Sequence, residues 1–313
     1  MKQRREWPRR LGFAVKVTGR PDLKSNDARR WQSGPHLRVS VDYFRAILAY
    51  LDEIDVRMYR LSSDFVPYCT HPDMPQFHGQ VAECRHDLAE VGKTARELGI
   101  RLSLHPSQYV LPGALDPAIA GKGIADVNAQ ADLLDAMEQG LEAVVILHLG
   151  GAYGDKDAAM RRFAENFARI SEPGRRRLVI ENDETLFTVE DCLRVHEMIG
   201  VPIIFDHQHH NLNPGTLGVG EAARKALATW PAGVTPKIHF SSPRLDSRLV
   251  TRGKREVEAP PLLSQHADYV HPWEFAGFLR EVGPAPFDVM LEAKMKDAAV
   301  LKLRDDLTRY GLW

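Results

Sequence analysis

The run Ala143–Leu147, A-V-V-I-L, is closed at once by His148. A short unbroken apolar run with β-branched residues reads as a strand buried on both faces, the kind that builds parallel sheets. The same arrangement recurs along the chain. Arg101–Leu104 is followed by His105, Leu178–Ile180 by Glu181, Pro202–Phe205 by Asp206, Pro236–Ile238 by His239 and Phe287–Leu291 by Glu292. Leu11–Val17 and Val56–Leu61 bring the candidate strands to eight, and His71 follows the second by a short loop. Between the runs lie amphipathic stretches. Val41, Phe44, Leu48 and Leu51 recur at the spacing of one helix face, as do Val81, Cys84, Leu88, Val91, Ala95 and Leu98. Val127, Ala131, Leu134, Met137 and Leu141 repeat the pattern, and Val300, Leu303 and Leu307 end it. Strands alternating with helices predict an α/β fold, here a single (β/α)₈ TIM barrel over residues 1–313 with a basic arm at 1–10. An open doubly wound sheet is the alternative, but it does not account for the strand ends. In a barrel they all converge on one mouth, where active sites are built.

The net charge of −1 predicts neither a nucleic-acid nor a membrane partner, so any DNA-binding surface must be a local basic patch. Cys69, Cys84 and Cys192 are odd in number and widely spaced, which argues against a disulfide framework and fits a reducing cytosol. The basic N-terminus lacks the apolar segment of a signal peptide, and no apolar run reaches membrane-spanning length. A cytoplasmic location is expected.

Packing does not require strand after strand to end in His, Glu or Asp. Buried together, such groups need compensation, and divalent cations provide it. Imidazole and carboxylate ligands suit Zn²⁺, Mn²⁺ or Fe²⁺, and the absence of cysteine from the set argues against a structural zinc. His105, His148, Glu181, Asp206, His239 and Glu292, joined by His209 from the D-x-x-H of Phe205–His209, exceed what one ion needs. Two or three ions are expected, bridged by a carboxylate such as Glu181 or Asp206. A multinuclear site suits phosphodiester hydrolysis. His207 and His210 point elsewhere and read as supporting or surface groups. Lys237 lies two residues before His239 and points to the same side, so it must be paired, neutral or modified. The stretch from Pro106 to Gly123 reads as a long Gly- and Pro-rich loop, a feature that is usually functional in compact domains.

These residues resemble the UV damage endonuclease family from about Leu11 to Leu307. The matching landmarks are L-G-F at Leu11–Phe13, Y-R-L-S-S-D-F-V-P at Tyr59–Pro67, T-H-P at Thr70–Pro72, H-P-S-Q-Y at His105–Tyr109 and H-L-G-G-A-Y-G-D-K at His148–Lys156. They continue with E-N-D-E at Glu181–Glu184, F-D-H-Q-H at Phe205–His209, K-I-H-F-S-S-P at Lys237–Pro243, H-A-D-Y-V at His266–Val270 and E-A-K-M-K-D at Glu292–Asp297. The resemblance implies a barrel that nicks damaged double-stranded DNA immediately 5′ to UV photoproducts, and in some members at abasic sites, leaving a 3′-hydroxyl and a 5′-phosphate. It implies up to three divalent ions, manganese foremost with magnesium, cobalt or zinc as alternatives, held by the seven residues above. It further implies that His71 and His266 complete the site and that Lys237 can be carboxylated. Gln108 and Tyr109 match the pair that probes the duplex at the lesion. Phe13 and Val17 stand where members often carry Tyr and Asn near the lesion, so Phe13 keeps the ring without its hydroxyl.

Phosphate contacts are expected from Arg244, Arg248, Arg252, Lys254 and Arg255 after the seventh strand and from Lys156 after the fourth, while Arg175–Arg177 fall at the opposite end. No small-molecule cofactor is expected, and a monomer is the simplest state for gripping a duplex. Three alternatives remain. A sugar isomerase on a similar barrel would show sugar-dependent activity and no DNA affinity. A degenerate homologue would bind damaged DNA without cutting it. An apurinic endonuclease of related type would differ only in lesion.

Overall fold

The computed structural model describes residues 8–253 and 255–312. Its strands are β1 (Leu11–Ala14), β2 (Met58–Arg60), β3 (Arg101–Leu104), β4 (Val144–His148), β5 (Leu178–Glu181), β6 (Ile203–Ile204), β7 (Lys237–Phe240), β8 (Arg248–Arg252), β9 (Arg255–Ala259) and β10 (Asp288–Leu291). Eight form one parallel sheet in the order β6-β5-β4-β3-β2-β1-β10-β7. The seam between β6 and β7 is closed by a parallel bridge between Asp206 and His239, where the His239 amide donates to the Phe205 carbonyl at 2.9 Å. Two expected ligands therefore also close the barrel.

The helices are α1 (Leu37–Glu53), α2 (Gln80–Glu83), α3 (Arg85–Glu97), α4 (Pro117–Ala136), α5 (Lys156–Phe167), α6 (Glu172–Arg177), α7 (Val189–Ile199), α8 (His207–Leu212), α9 (Val219–Ala228), α10 (Pro272–Val282) and α11 (Lys296–Arg309). Their starts follow local chemistry. Asp116 accepts from the Ala118 amide at 2.7 Å with Pro117 in the first turn of α4, and Thr188 with Asp191 forms a capping box on α7. The predicted faces are the buried ones: Val41, Phe44, Leu48 and Leu51 on α1, and Leu88, Val91 and Ala95 on α3.

Period-2 alternation fixes what the barrel interior contains. Ile146 and His148 share a face of β4, as do Val179 and Glu181 on β5, and Arg101 and Ser103 on β3. Small apolar plugs, Val144, Ile146, Val179 and Ile204 on one side and Ala14, Met58 and Met290 on the other, fill the barrel below the ligands. Trp230 packs with the first plug and donates from its indole to the Ile203 carbonyl at 2.8 Å.

Several boundaries differ from the sequence-based expectation. β1 stops at Ala14 because Val15 turns into left-handed backbone, φ 64°. The third loop is shorter than expected, because Pro117 to Gly123 belong to α4. Gly123 has no Cβ because one there would lie 2.9 Å from the Leu111 backbone, so helix and loop pack closely. α4 ends at Ala136, which leaves Leu141 half exposed rather than on its buried face. β7 extends to Phe240, so His239 lies within a strand instead of beyond one. The basic segment after β7 pairs as an antiparallel hairpin, β8 with β9. Of the basic arm, residues 1–7 lie outside the described residues. Arg9 donates to the Ala285 carbonyl and Arg10 pairs with Glu142 and Asp288.

Candidate metal centre

Apart from His209 on α8, each ligand candidate reaches the mouth from the C-terminal part of a barrel strand or from just beyond it. Glu181, fully buried at the end of β5, is the hub. His239 Nδ1 lies 2.9 Å from Glu181 Oε1, and His105 Nε2 lies 3.1 Å from Oε2. His209 Nδ1 is 3.5 Å and His148 Nε2 3.9 Å from the same carboxylate. His239 Nδ1 also approaches Glu292 Oε1 at 3.5 Å. Asp206 caps α8 by accepting from the His209 amide at 2.7 Å, which aims both members of the D-x-x-H at the cluster. These groups form three overlapping triads with ligand atoms within 4.8 Å of one another: His105–Glu181–His239, His148–Glu181–His209 and Asp206–His239–Glu292. Glu181 and His239 each belong to two.

Protonation favours ligation at Glu181, Glu292, His148 and His239, whereas Asp206 and His209 would release a proton on binding a cation. Burial pushes the Glu181 carboxyl up, but the imidazoles of His239 and His148 and hydrogen bonds from His105 and His209 drive it well below the usual range. Glu292 is likewise low, with burial opposed by Arg60. Burial lowers His148, and it lowers His239 to about 4, so both rings are neutral near pH 7. Asp206 is raised to about 7 by burial. The same burial would lower His209, but Asp206 and Glu181 raise it to about 11. Buried, partnerless atoms remain in the cluster: Asp206 Oδ2, His239 Nε2 and His148 Nδ1. An unsatisfied buried carboxylate oxygen is costly, and a cation would satisfy it. The residues therefore fit divalent ions.

His266 sits at the rim, its Nδ1 2.7 Å from the Ser241 hydroxyl and its Nε2 3.7 Å from Glu292. Lys237 is buried, and its Nζ donates to the Ser103 hydroxyl at 2.8 Å rather than to a carboxylate; burial and then Arg101 push the amine well below its ordinary value. His71 stands outside the triads. It lines a neighbouring cleft of about 540 Å³ with Ser107, Asp126 and Gln130. Gln108 and Tyr109 stand exposed on the third loop, Tyr109 at 77%. Phe13 requires correction. It is fully buried with its ring edge-on to Tyr59, so it cannot touch DNA; Val17 is also buried. His207 and His210 are not surface groups either. They are buried, stacked on Phe240 and tilted against Phe205.

Lys156 opens α5 paired with Asp191, and Arg244 is half-buried. Lys254 lies outside the described residues. The hairpin register sorts charge by face: Arg248, Val250, Arg252, Arg255, Val257 and Ala259 share one side, and Leu249, Thr251, Glu256 and Glu258 the other. Sequence reasoning missed Arg60, 2.5 Å from Glu292, because it ends a strand in a basic rather than a ligating residue. It also missed Asn182, which bonds the Asp206 backbone in both directions at 2.9 and 3.1 Å and fixes β5 against β6.

Known proteins resemble this chain over most of its length. A family model for the UV-endonuclease UvdE matches residues 38–312. The UV DNA damage endonuclease of Bacillus velezensis is 33% identical over 261 residues, covering 81% of this chain and 75% of that protein. The UV-damage endonuclease of Neurospora crassa is 32% identical over 280 residues, 82% of this chain and 38% of that longer protein. The crystal structure of SacUVDE superposes with a TM-score of 0.80 at 26% identity, covering 97% of this chain and 100% of that one. D-psicose 3-epimerase of Clostridium cellulolyticum superposes at 0.56 with 13% identity, over 97% of this chain and 99% of that one, a likeness of fold alone.

Proposed function

The chain belongs to the UV-endonuclease UvdE family, and from that premise we propose that it is a DNA repair endonuclease that uses divalent ions at the barrel mouth to hydrolyse the phosphodiester immediately 5′ to a UV photoproduct, with abasic sites as a further substrate. The products are a 3′-hydroxyl and a 5′-phosphate. The observation that carries the reading is the set of three triads sharing Glu181 and His239, with buried ligand atoms left unpartnered.

His105, His148, Glu181, Asp206, His209, His239 and Glu292 would hold two or three ions, manganese foremost. Such ions supply positive charge at the scissile phosphate and polarise water for attack. The protein's own groups do the rest. Asn182 and the α8 cap hold Asp206 and His209 in register. Ser241 and Gln208, 2.7 and 3.0 Å from His266 Nδ1, orient that ring at the rim, where it meets the DNA phosphate. Lys237, whose burial favours the neutral amine, is suited to add carbon dioxide with release of a proton, and a carboxylated Lys237 would give the site a further anion. Gln108 and Tyr109 enter the stack at the lesion, where unstacking costs least. Arg248, Arg252 and Arg255 on one hairpin face, with Arg244 and Lys156, contact phosphates of the damaged duplex, and the enzyme acts as a monomer.

The test is incubation of the Mn²⁺-loaded protein with labelled duplexes carrying one photoproduct, one abasic site or no damage, beside a Glu181→Ala variant. The expected result is a single nick just 5′ to the lesion that the variant does not make. No cleavage of either damaged duplex, with bound metal verified, would refute the reading.

A further inference from the structure

The ring of strand ends at the mouth is not uniform. β3 to β7 and β10 supply the ligand candidates, whereas the neighbouring β2 and β1, the latter next to β10 in the sheet, supply none. That sector carries cations instead. Arg60 ends β2 beside Glu292. Lys16 lies two residues past β1 and is exposed, and beyond Glu292 come exposed Lys294 and half-buried Lys296.

Two of these turns hold left-handed backbone, at Val15 (φ 64°) and Lys296 (φ 50°). Such conformations are rare for β-branched or long side chains and persist only where the surroundings fix them. Here they are fixed. The Val15 amide donates to the Arg60 carbonyl at 2.9 Å, and the Tyr59 hydroxyl donates to the Val15 carbonyl at 2.5 Å. Buried Asp297 accepts from the amides of Thr18 at 2.6 Å and Gly19 at 3.0 Å and from the Tyr50 hydroxyl at 2.7 Å, stapling the Lys16 loop to the start of α11. The Lys294 and Met295 amides donate to the carbonyls of Ala267 and Asp268, both at 3.0 Å.

The register brings the cations to one sector of the mouth: Ala14 pairs with Arg60 and Phe13 with Leu291, so Lys16, Arg60 and Lys294 lie at or just past adjacent strand ends. Burial first and Arg60 second hold the Lys296 ammonium below its ordinary value, with Lys16 and Lys294 adding to the effect against Glu292. Among the described residues, none of the three lysines has a carboxylate within ion-pairing distance. Three lysines without a carboxylate partner, carried on fixed backbone turns beside the Glu292-paired Arg60, make a site for an anion.

We propose that Lys16, Lys294 and Lys296, beside the Glu292-paired Arg60, form a phosphate-binding shelf that seats a DNA backbone phosphate flanking the scissile one, an inference that rests on DNA being the substrate. The shelf positions the strand and carries no base information, so it acts on damaged and undamaged duplex alike.

The test is binding of labelled photoproduct and undamaged duplexes by the Mn²⁺-loaded chain across a salt series, for the unaltered protein, Lys16→Gln, Lys294→Gln, Lys296→Gln and the Lys16→Gln/Lys296→Gln pair, with Lys296→Arg as the charge-preserving variant. Each Gln substitution is expected to weaken both duplexes several-fold, and the paired variant to lower the slope of log affinity against log salt by about 0.9 in all, the value for one phosphate, with KM for incision raised more than kcat falls. Lys296→Arg should restore the slope. Should Lys296→Gln fail to fold, the exposed Lys16 and Lys294 carry the test. An unchanged salt slope in the paired variant would overturn the shelf, even if incision fell, since the lysines would then act only by supporting Glu292. If the unaltered chain bound no duplex at all, the DNA reading would fall and the shelf with it.

Discussion

At the bottom of the barrel, the buried guanidinium of Arg101 meets Asp288 at 2.9 Å, the Thr235 carbonyl at 2.9 Å and the Glu142 carbonyl at 2.8 Å. Asp288 also accepts from the Arg10 amide at 3.2 Å. Beside it, Arg177 is committed to Asp135 and to the carbonyls of Gln139, Gly140 and Ala143. At the mouth the buried carboxylates of Glu181, Asp206 and Glu292 face a group of imidazoles, two of them held neutral by burial, with ligand atoms left over. Both ends bury charge. The bottom matches each carboxylate with permanent cations and leaves over a donor, Arg101 Nη2, which cannot ligate a cation, while the mouth holds coordinating capacity open. That is the division expected of a barrel whose stability and chemistry sit at opposite ends.

The largest effect should come from breaking the bottom. Asp288→Ala leaves Arg101 buried without its carboxylate and is expected to cost about 3–5 kcal/mol in urea unfolding, while incision per folded molecule stays near that of the unaltered protein. A loss of activity in the folded fraction would contradict the division of labour.

The next effect sharpens what belongs to the mouth. His207, stacked on Phe240, is lowered by burial from 6.5 to about 4, so the unfolded chain takes up its proton first. Its contribution is intact above about pH 6.5 and is lost as pH falls toward about 4, on the order of 3 kcal/mol in all. His207→Phe should flatten the acid limb of the stability profile by that amount and leave metal binding in place. An acid limb as steep as before would show that the ring is not a buried neutral packing group.

The smallest concerns the loop that carries Gln108 and Tyr109. Asp116→Ala removes the cap of α4 and should cost about 1 kcal/mol by thermal unfolding, with a larger loss in discrimination between damaged and undamaged duplex than in metal affinity. Equal loss in both would mean that the loop and the cluster are one unit.

The barrel and most of the cluster are legible in the sequence through the strand ends, because one residue type recurring at the end of run after run is a topological statement. His239 is legible as a ligand although its strand runs past it, since only its alternation phase matters. The rest is hidden for local reasons. Resemblance places Phe13 at the lesion, but its position in β1 and its contact with Tyr59 bury it. His71 follows a strand yet turns into a neighbouring cleft, because a loop does not hold phase. The hairpin presents itself as a run of charge, although R-L-V-T-R and R-E-V-E-A alternate on either side of the turn at Gly253. Arg60, Lys16 and Lys296 are invisible to a search for ligands, since their meaning lies in strand order: β2, β1 and β10 are neighbours in the sheet, while β10 is far from the other two in the chain.

The central claim is that the mouth's unpartnered atoms are metal ligands, and the direct measurement is Mn²⁺ stoichiometry of the metal-stripped chain, read by bound metal and by the rise in unfolding temperature. The expected result is two or three ions in the unaltered protein, the loss of one with His105→Ala, which removes a member of one triad, and the loss of more than one with Glu181→Ala, which removes a member shared by two. Equal losses from both variants would contradict the shared hub, and an unaltered chain that bound no Mn²⁺ would contradict the metal centre itself.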